Sequence, residues 1–250
     1  MKLFVCVKQV TVLGDEVAFS PDGLDIDFSY ADHALNEWDA YATEEALQVR
    51  ERVGGGEVVV ATVGASDAEE TLRRCLAMGA DRAIRIDGEL LDPFSVARSL
   101  ATVIGPEKPD LVFCGVQSSD SVQGSTGSSL AELLGLPSVA VVTRLEWSGQ
   151  GRATVHRELE GGLIDVVEVE TPAVVTIQTG INKPRYASLR AIKEAERRQI
   201  SVAPAAVNGQ ASYQVRRMLL PSRGQTARMI AGSPAEISLQ IAGIVRERLR

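Results

Sequence analysis

The stretch Pro109–Gly127, PDLVFCGVQSSDSVQGSTG, decides the fold. Its first part, Asp110–Gly115, is a short apolar run typical of a central strand buried on both faces. A polar Gly/Ser loop follows, long for a connection of this kind, and from Gly124 the pattern is helical as far as Leu134. The same strand, loop and helix order recurs outward in both directions. Upstream stand a strand in Leu3–Val10, a helix from Asn36 that Gly54-Gly55-Gly56 ends, and a strand at Glu57–Val63. A helix follows from a Ser66/Glu69 capping box to Met78-Gly79, then a strand at Arg82–Ile86 and a helix at Asp92–Ile104 with Pro93 in its first turn. Downstream, Ser138–Thr143 and Ala173–Gln178 read as further strands. Alternation of this kind implies right-handed crossovers and an open, mainly parallel sheet with helices on both faces.

Two segments break the alternation. Val17–Phe19 and Leu24–Ile26 flank Pro21-Asp22-Gly23 and predict a small hairpin. Arg144–Trp147, Ala153–Glu158 and Leu163–Glu168 predict an antiparallel meander. After Gln178 the chain becomes polar, with a basic helical stretch at Ser188–Arg198 and an amphipathic helix from Pro234 to Arg250. That tail is too poor in apolar residues for a core of its own and reads as extended.

Composition narrows the function. The 250 residues are 45% hydrophobic, which offsets the ordering entropy and excludes a disordered chain. No apolar run approaches the roughly 20 residues that a membrane-spanning helix needs. The net charge of −7 argues against nucleic acid as a partner, but it is unevenly spread. Residues 1–182 carry 13 basic and 29 acidic side chains; residues 183–250 carry 13 basic and 4 acidic. The N-terminal run, interrupted by Lys8 and Gln9, reads as a first strand and not as a signal segment. Cys6, Cys75 and Cys114 are odd in number and widely spaced, which points to reduced core thiols in a cytoplasmic protein.

In an open parallel sheet, ligands bind beyond the carboxyl ends of the strands, where strand order reverses. Three segments qualify: Cys6-Val7-Lys8-Gln9, Gly64-Ala65-Ser66, and Gly115–Gly127. The last delivers Gly, Ser and Thr to a helix N-terminus, where free N–H groups and the helix dipole suit a phosphate. It is neither a P-loop nor a GxGxxG fingerprint, and a solvated loop with Ser/Thr capping is the competing reading. No catalytic constellation is evident: Ser119-Asp120-Ser121 has no histidine placed to act as its base. With only His33 and His156, no histidine metal cluster can be assembled from one chain.

Several motifs together resemble the β subunits of electron-transfer flavoproteins, in register from residue 1 to about 200. They are VCVKQV at the start, NEWDAYATEEAL at Asn36–Leu47, TLRRCLAMGADR at Thr71–Arg82, PDLVFCGVQ at Pro109–Gln117, RELEGGL from Arg157, and PAVVTIQTGINKPRY at Pro172–Tyr186. The resemblance implies a Rossmann-like, adenine-nucleotide-binding fold over residues 1–182. Residues 183–250 would then form a partner-recognition loop and a C-terminal arm that packs on an α subunit. It further implies a heterodimer sharing FAD with that subunit, and an AMP, or a second FAD in its place, held by the β subunit. Matched residue by residue, the cofactor-binding set is Cys6, Val7, Lys8, Asn36, Glu37, Trp38, Asp39, Val63, Gly64, Gly115, Gln117, Ser118, Asp120, Gln123, Gly124, Ser125, Thr126 and Gly127. The partner-binding set is Lys183, Arg185, Tyr186 and Leu189.

The implied function is an electron carrier, not an enzyme with its own substrate, running from dehydrogenases to a quinone-linked or other acceptor oxidoreductase. Common members have an Ala-Ile-Asp-Asp type of run where this chain has Ser118-Ser119-Asp120-Ser121-Val122, and Asn-Pro where it has Asn36-Glu37. The choice between AMP and a second FAD therefore stays open. An adenine-nucleotide hydrolase or ligase, and a nucleotide-sensing module without a redox role, are the alternatives on such a scaffold.

Overall fold

The computed structural model describes residues 1–14, 17–88, 92–206, 213–221, 227 and 229–249. Asp15, Glu16, Arg250 and parts of the C-terminal tail read above lie outside the described residues. The chain divides into two compact units, Met1–Arg216 and Arg217–Arg250. In the first, the elements in chain order are β1 (Lys2–Cys6), β2 (Gln9–Leu13), β3 (Ala31–Leu35), α1 (Glu37–Arg52), β4 (Glu57–Val63), α2 (Glu69–Met78), β5 (Arg82–Asp87), α3 (Pro93–Glu107) and β6 (Leu111–Gly115). They continue with α4 (Thr126–Leu134), β7 (Ser138–Gly149), β8 (Arg152–Leu159), β9 (Leu163–Glu170), β10 (Ala173–Ile177), α5 (Leu189–Glu196) and β11 (Ser201–Pro204). The second unit holds α6 (Pro234–Arg248), whose N-terminus is closed by a reciprocal capping box between Ser233 and Glu236.

Among the described residues the main sheet has nine strands, in the order β11-β5-β4-β1-β6-β10-β7-β8-β9. The seven from β11 to β7 are parallel, and β8 and β9 continue as the expected antiparallel meander. The period-2 alternation of each central strand feeds two cores. Leu3, Val5, Val58, Val60, Leu111 and Phe113 face α1 and α2, while Phe4, Cys6, Val59, Ala61, Val112 and Cys114 face α3 and α4. Helices thus cover both faces, and burial on both sides explains why these strands are unbroken apolar runs.

Several expectations need adjustment. The first apolar run does not continue to Val10 as one strand. It breaks at Val7-Lys8, and β2 pairs instead with β3 in a separate two-stranded antiparallel sheet. The small hairpin does form, though with a single antiparallel bridge, Phe19–Ile26, flanked by bonds from the Ser20 N–H to the Asp25 carbonyl and from the Asp27 N–H to the Ala18 carbonyl, each at 2.9 Å. β7 is one long strand, kinked where Val141 has φ +61° and where its register against β8 shifts, so that its start pairs with β10 and its remainder with β8. The Ser66/Glu69 capping box does not form. Ser66–Ala68 is a 3-10 turn, so Ala68 takes the N-cap position of α2 and offers no side-chain acceptor, while the Glu69 carboxylate pairs with Arg85 at 3.1 Å and Arg73 at 3.5 Å. The helix predicted from Gly124 begins at Thr126, since Gly124 has φ +60°. Among the described residues, no helix is long and apolar enough to cross a membrane.

Candidate functional site

β1 has β4 on one side and β6 on the other, so the chain reverses its direction of growth between β1 and β6. That is where a crevice opens beyond the strand ends. The N-terminus of α1 sits across it and fastens the loops on both sides. Asp39, only 5% exposed, accepts the Lys8 N–H at 2.8 Å and the Gly115 N–H at 3.0 Å, spanning the ends of β1 and β6. Asn36 donates from Nδ2 to the Gln117 carbonyl at 2.8 Å and accepts the Ser119 N–H at 3.2 Å. Trp38 Nε1 donates to Gln178 Oε1 at 2.9 Å, adding the chain just past β10. A side chain at Gly115 would overlap Asp39 Oδ1 and lie 2.6 Å from Trp38 Cβ, so the approach of α1 requires glycine there. Burial pushes the Asp39 carboxyl up to about 7, opposed by hydrogen bonds from Lys8, Asn36 and Gly115 and by the Lys8 charge.

The crevice is an open cleft with two characters. Val63, Pro93, Val96, Leu100, Cys6 and Cys114 give it an apolar wall. Lys8, Asn36, Asp39, Gln117, Ser118, Ser121, Gln123, Gly124 and Thr126 give it a polar one, and Val7, Asp92, Gly115, Val116 and Tyr213 complete the lining. Lys8 Nζ reaches into the long loop, donating to Asp120 Oδ1 at 2.6 Å and Ser118 Oγ at 3.2 Å. Burial opposes ionisation of Asp120, but hydrogen bonding from Lys8 and Ser118 and the Lys8 charge hold its carboxyl below the usual range. At the other end of the loop, the first-turn N–H groups of α4 have no intrahelical acceptor, and Ser125 caps none of them with its side chain. The Cys6 thiol is held well above its ordinary value, first by its hydrogen bond to Cys114 and then by burial.

Of the cofactor-binding residues expected from sequence, Cys6, Val7, Lys8, Asn36, Asp39, Val63, Gly115, Gln117, Ser118, Gln123, Gly124 and Thr126 line this cleft. The other six lie beside it. Asp120 is paired with Lys8, Trp38 is bonded to Gln178, and Glu37 is exposed. Ser125 is half-buried just before α4, and Gly64 is buried and accepts from Arg85. Gly127 lets α4 pack on β10, since a Cβ there would come 2.5 Å from Thr176 Cγ2. Sequence reasoning missed Asp92 at the N-cap of α3 and Pro93, Val96 and Leu100 on it, and also Cys114 and Tyr213. An apolar face of α3 turned toward the strand ends was a usable signal for the first group; for Tyr213 there was none.

The expected partner-binding residues fall on the loop between β10 and α5 and on the first residue of α5. Tyr186 is 96% exposed and Leu189 81% exposed, at the start of a helix capped by Ser188, and Lys183 is exposed as well. Arg185 is different. Its guanidinium forks onto Glu44 at 2.8 and 3.0 Å and reaches Glu51 at 2.8 Å, while Asn182 donates to the Tyr41 carbonyl and to Glu45. These two residues moor the loop to α1.

A family model described as the electron transfer flavoprotein domain matches residues 24–208. The chain belongs to the electron transfer flavoprotein family. A protein named electron transfer flavoprotein subunit beta from Methylophilus methylotrophus is 44% identical over 261 aligned positions, covering 99% of this chain and 98% of that one. The proteins of the same name from Bradyrhizobium diazoefficiens and Mus musculus are 38% and 34% identical, each aligned over about four-fifths of both chains. The chain is thus a β subunit of the electron transfer flavoprotein family, with an electron-transfer role. The family match stops before Tyr213.

Proposed function

We propose that the chain works as the β subunit of a heterodimeric electron carrier, sharing FAD with an α subunit and passing electrons from dehydrogenases to an acceptor oxidoreductase. The observation that carries the nucleotide part of this reading is the cleft beyond β1, β4 and β6, with its apolar wall and its phosphate-compatible loop. The residues present fit an adenine nucleotide, AMP or the corresponding part of a second FAD. Val63, Pro93, Val96 and Leu100 would contact the base, and Lys8, Ser118 and the N-terminus of α4 would receive phosphate. Flavin, when bound, supplies reversible electron uptake, and this chain contributes binding, orientation and electrostatics. The exposed Tyr186 and Leu189, on a loop moored by Arg185, suit a partner-facing surface, and the basic charge of residues 183–198 favours an acidic one. Three buried free cysteines agree with work in the reducing cytoplasm.

Co-production with the partner subunit tests this. A yellow 1:1 complex is expected, releasing FAD and either AMP or a second equivalent of FAD on denaturation. A colourless chain that forms no complex, or one that hydrolyses ATP by itself, refutes the reading.

A further inference from the structure

Among the described lining residues of the cleft, Tyr213 is the single aromatic one. It reaches the cleft from beyond β11 and stands outside the segment that the family model matches. Its hydroxyl accepts a hydrogen bond from Gln123 Nε2 at 2.8 Å, a contact across 90 residues of sequence. Gln123 belongs to the long loop that precedes α4. Tyr213 is 46% exposed and is not part of either hydrophobic core. An aromatic ring with its polar end held by a binding-loop amide, and much of its surface still open, has area left to give to a ligand. The remaining apolar lining is aliphatic or thiol, so the ring is also the flat surface best suited to a planar base or to cover a ribose.

We infer that Tyr213 is a contact residue for the adenine nucleotide. Its ring covers the bound nucleotide at the mouth of the cleft, and the bond to Gln123 fixes the ring in place. This rests on the nucleotide reading given under Proposed function. It adds that retention of the nucleotide depends on a residue outside the family-matched segment, supplied by the chain after β11.

The test uses the full chain co-produced with its partner subunit, loaded with radiolabelled AMP, and follows loss of label after a chase of unlabelled AMP. Tyr213→Ala is expected to release the label about tenfold faster than wild type, with Tyr213→Phe in between because it keeps the ring and loses the anchor. The half-exposed position predicts an unchanged urea unfolding midpoint for both variants, which separates loss of contact from loss of fold. Release from Tyr213→Ala within twofold of wild type, with wild type well labelled, overturns the inference and leaves the nucleotide reading standing. A wild-type complex that takes up no label and on denaturation releases neither AMP nor a second equivalent of FAD refutes the nucleotide reading itself, and this inference with it; where a second FAD is released, its loss from the three proteins is compared in the same way, with the same outcomes deciding.

Discussion

Replacing Arg185 by Ala removes the fork that holds Glu44, and the structure sets the scale of the loss. Glu44 is 3% exposed, and Arg185 reaches it through Nε, a terminal nitrogen and its own backbone N–H, at 2.8, 3.0 and 3.2 Å. Stranding a carboxylate in a fully buried pair costs about 3–5 kcal/mol, whereas an exposed pair contributes at most about 1 kcal/mol. The Arg185 side chain is 35% exposed, and Gln48 still donates to Glu44 at 2.8 Å, so the loss falls between these limits, at about 2 kcal/mol. Urea unfolding at pH 7, followed by the fluorescence of Trp38 and Trp147, reads it directly. Glu44→Gln removes the charge that Arg185 neutralises, so the double variant should recover at least half of the loss. Burial opposes ionisation of Glu44, but its bonds to Arg185 and Gln48 hold its carboxyl below the usual range. The stabilisation is therefore present above the unfolded value and fades as pH falls through the folded one, so the gap between wild type and Arg185→Ala should close in acid. A loss under about 0.5 kcal/mol, or single effects that simply add in the double variant, would refute the mooring role.

Asp39 behaves in the opposite sense. Burial raises its carboxyl to about 7, so between its unfolded value and 7 the folded chain holds the extra proton, and stability falls as pH rises through that window. Denaturation across this range should show a slope approaching 1.4 kcal/mol per pH unit in wild type that Asp39→Asn lacks; parallel profiles would count against it. Gly115→Ala should strongly destabilise the chain and abolish nucleotide retention, because the new methyl meets Asp39 and Trp38; a soluble variant with wild-type nucleotide content would contradict the packing argument. Leu189→Ala should leave the unfolding midpoint and flavin content of the complex unchanged while slowing its reduction by a partner dehydrogenase. Unaltered kinetics would remove Leu189 from the partner surface.

Much of this was legible because burial on both faces leaves a plain trace. β1, β4, β6 and β10 are apolar at successive positions, and the loops that follow them gather Gly, Ser and Lys. What escaped notice has physical causes. β3 carries Asp32 and His33 and is half exposed, so it has no apolar run, and β11 is a four-residue edge strand. The Ser66/Glu69 pattern failed because Ser66–Ala68 tightens into a 3-10 turn that puts Ala68 at the N-cap, and the Glu69 carboxylate pairs with Arg85 and Arg73 instead. Arg185 reads as one basic residue among several until Glu44 is seen beneath it. Asn36 and Asp39 were expected beside the ligand, and they do line the cleft, yet their polar atoms are largely spent on backbone groups of the strand ends and loop.

That last assignment separates two tasks. The width of the cleft is set by α1 gripping main-chain atoms, whatever side chains the loop between Gln117 and Gly124 carries. Much of the polar chemistry facing the cleft comes from that loop. On the nucleotide reading proposed above, such a division would give the fold a fixed socket with an exchangeable face: substitutions at Ser118, Asp120 or Gln123 would retune which nucleotide is preferred without moving the place where it sits.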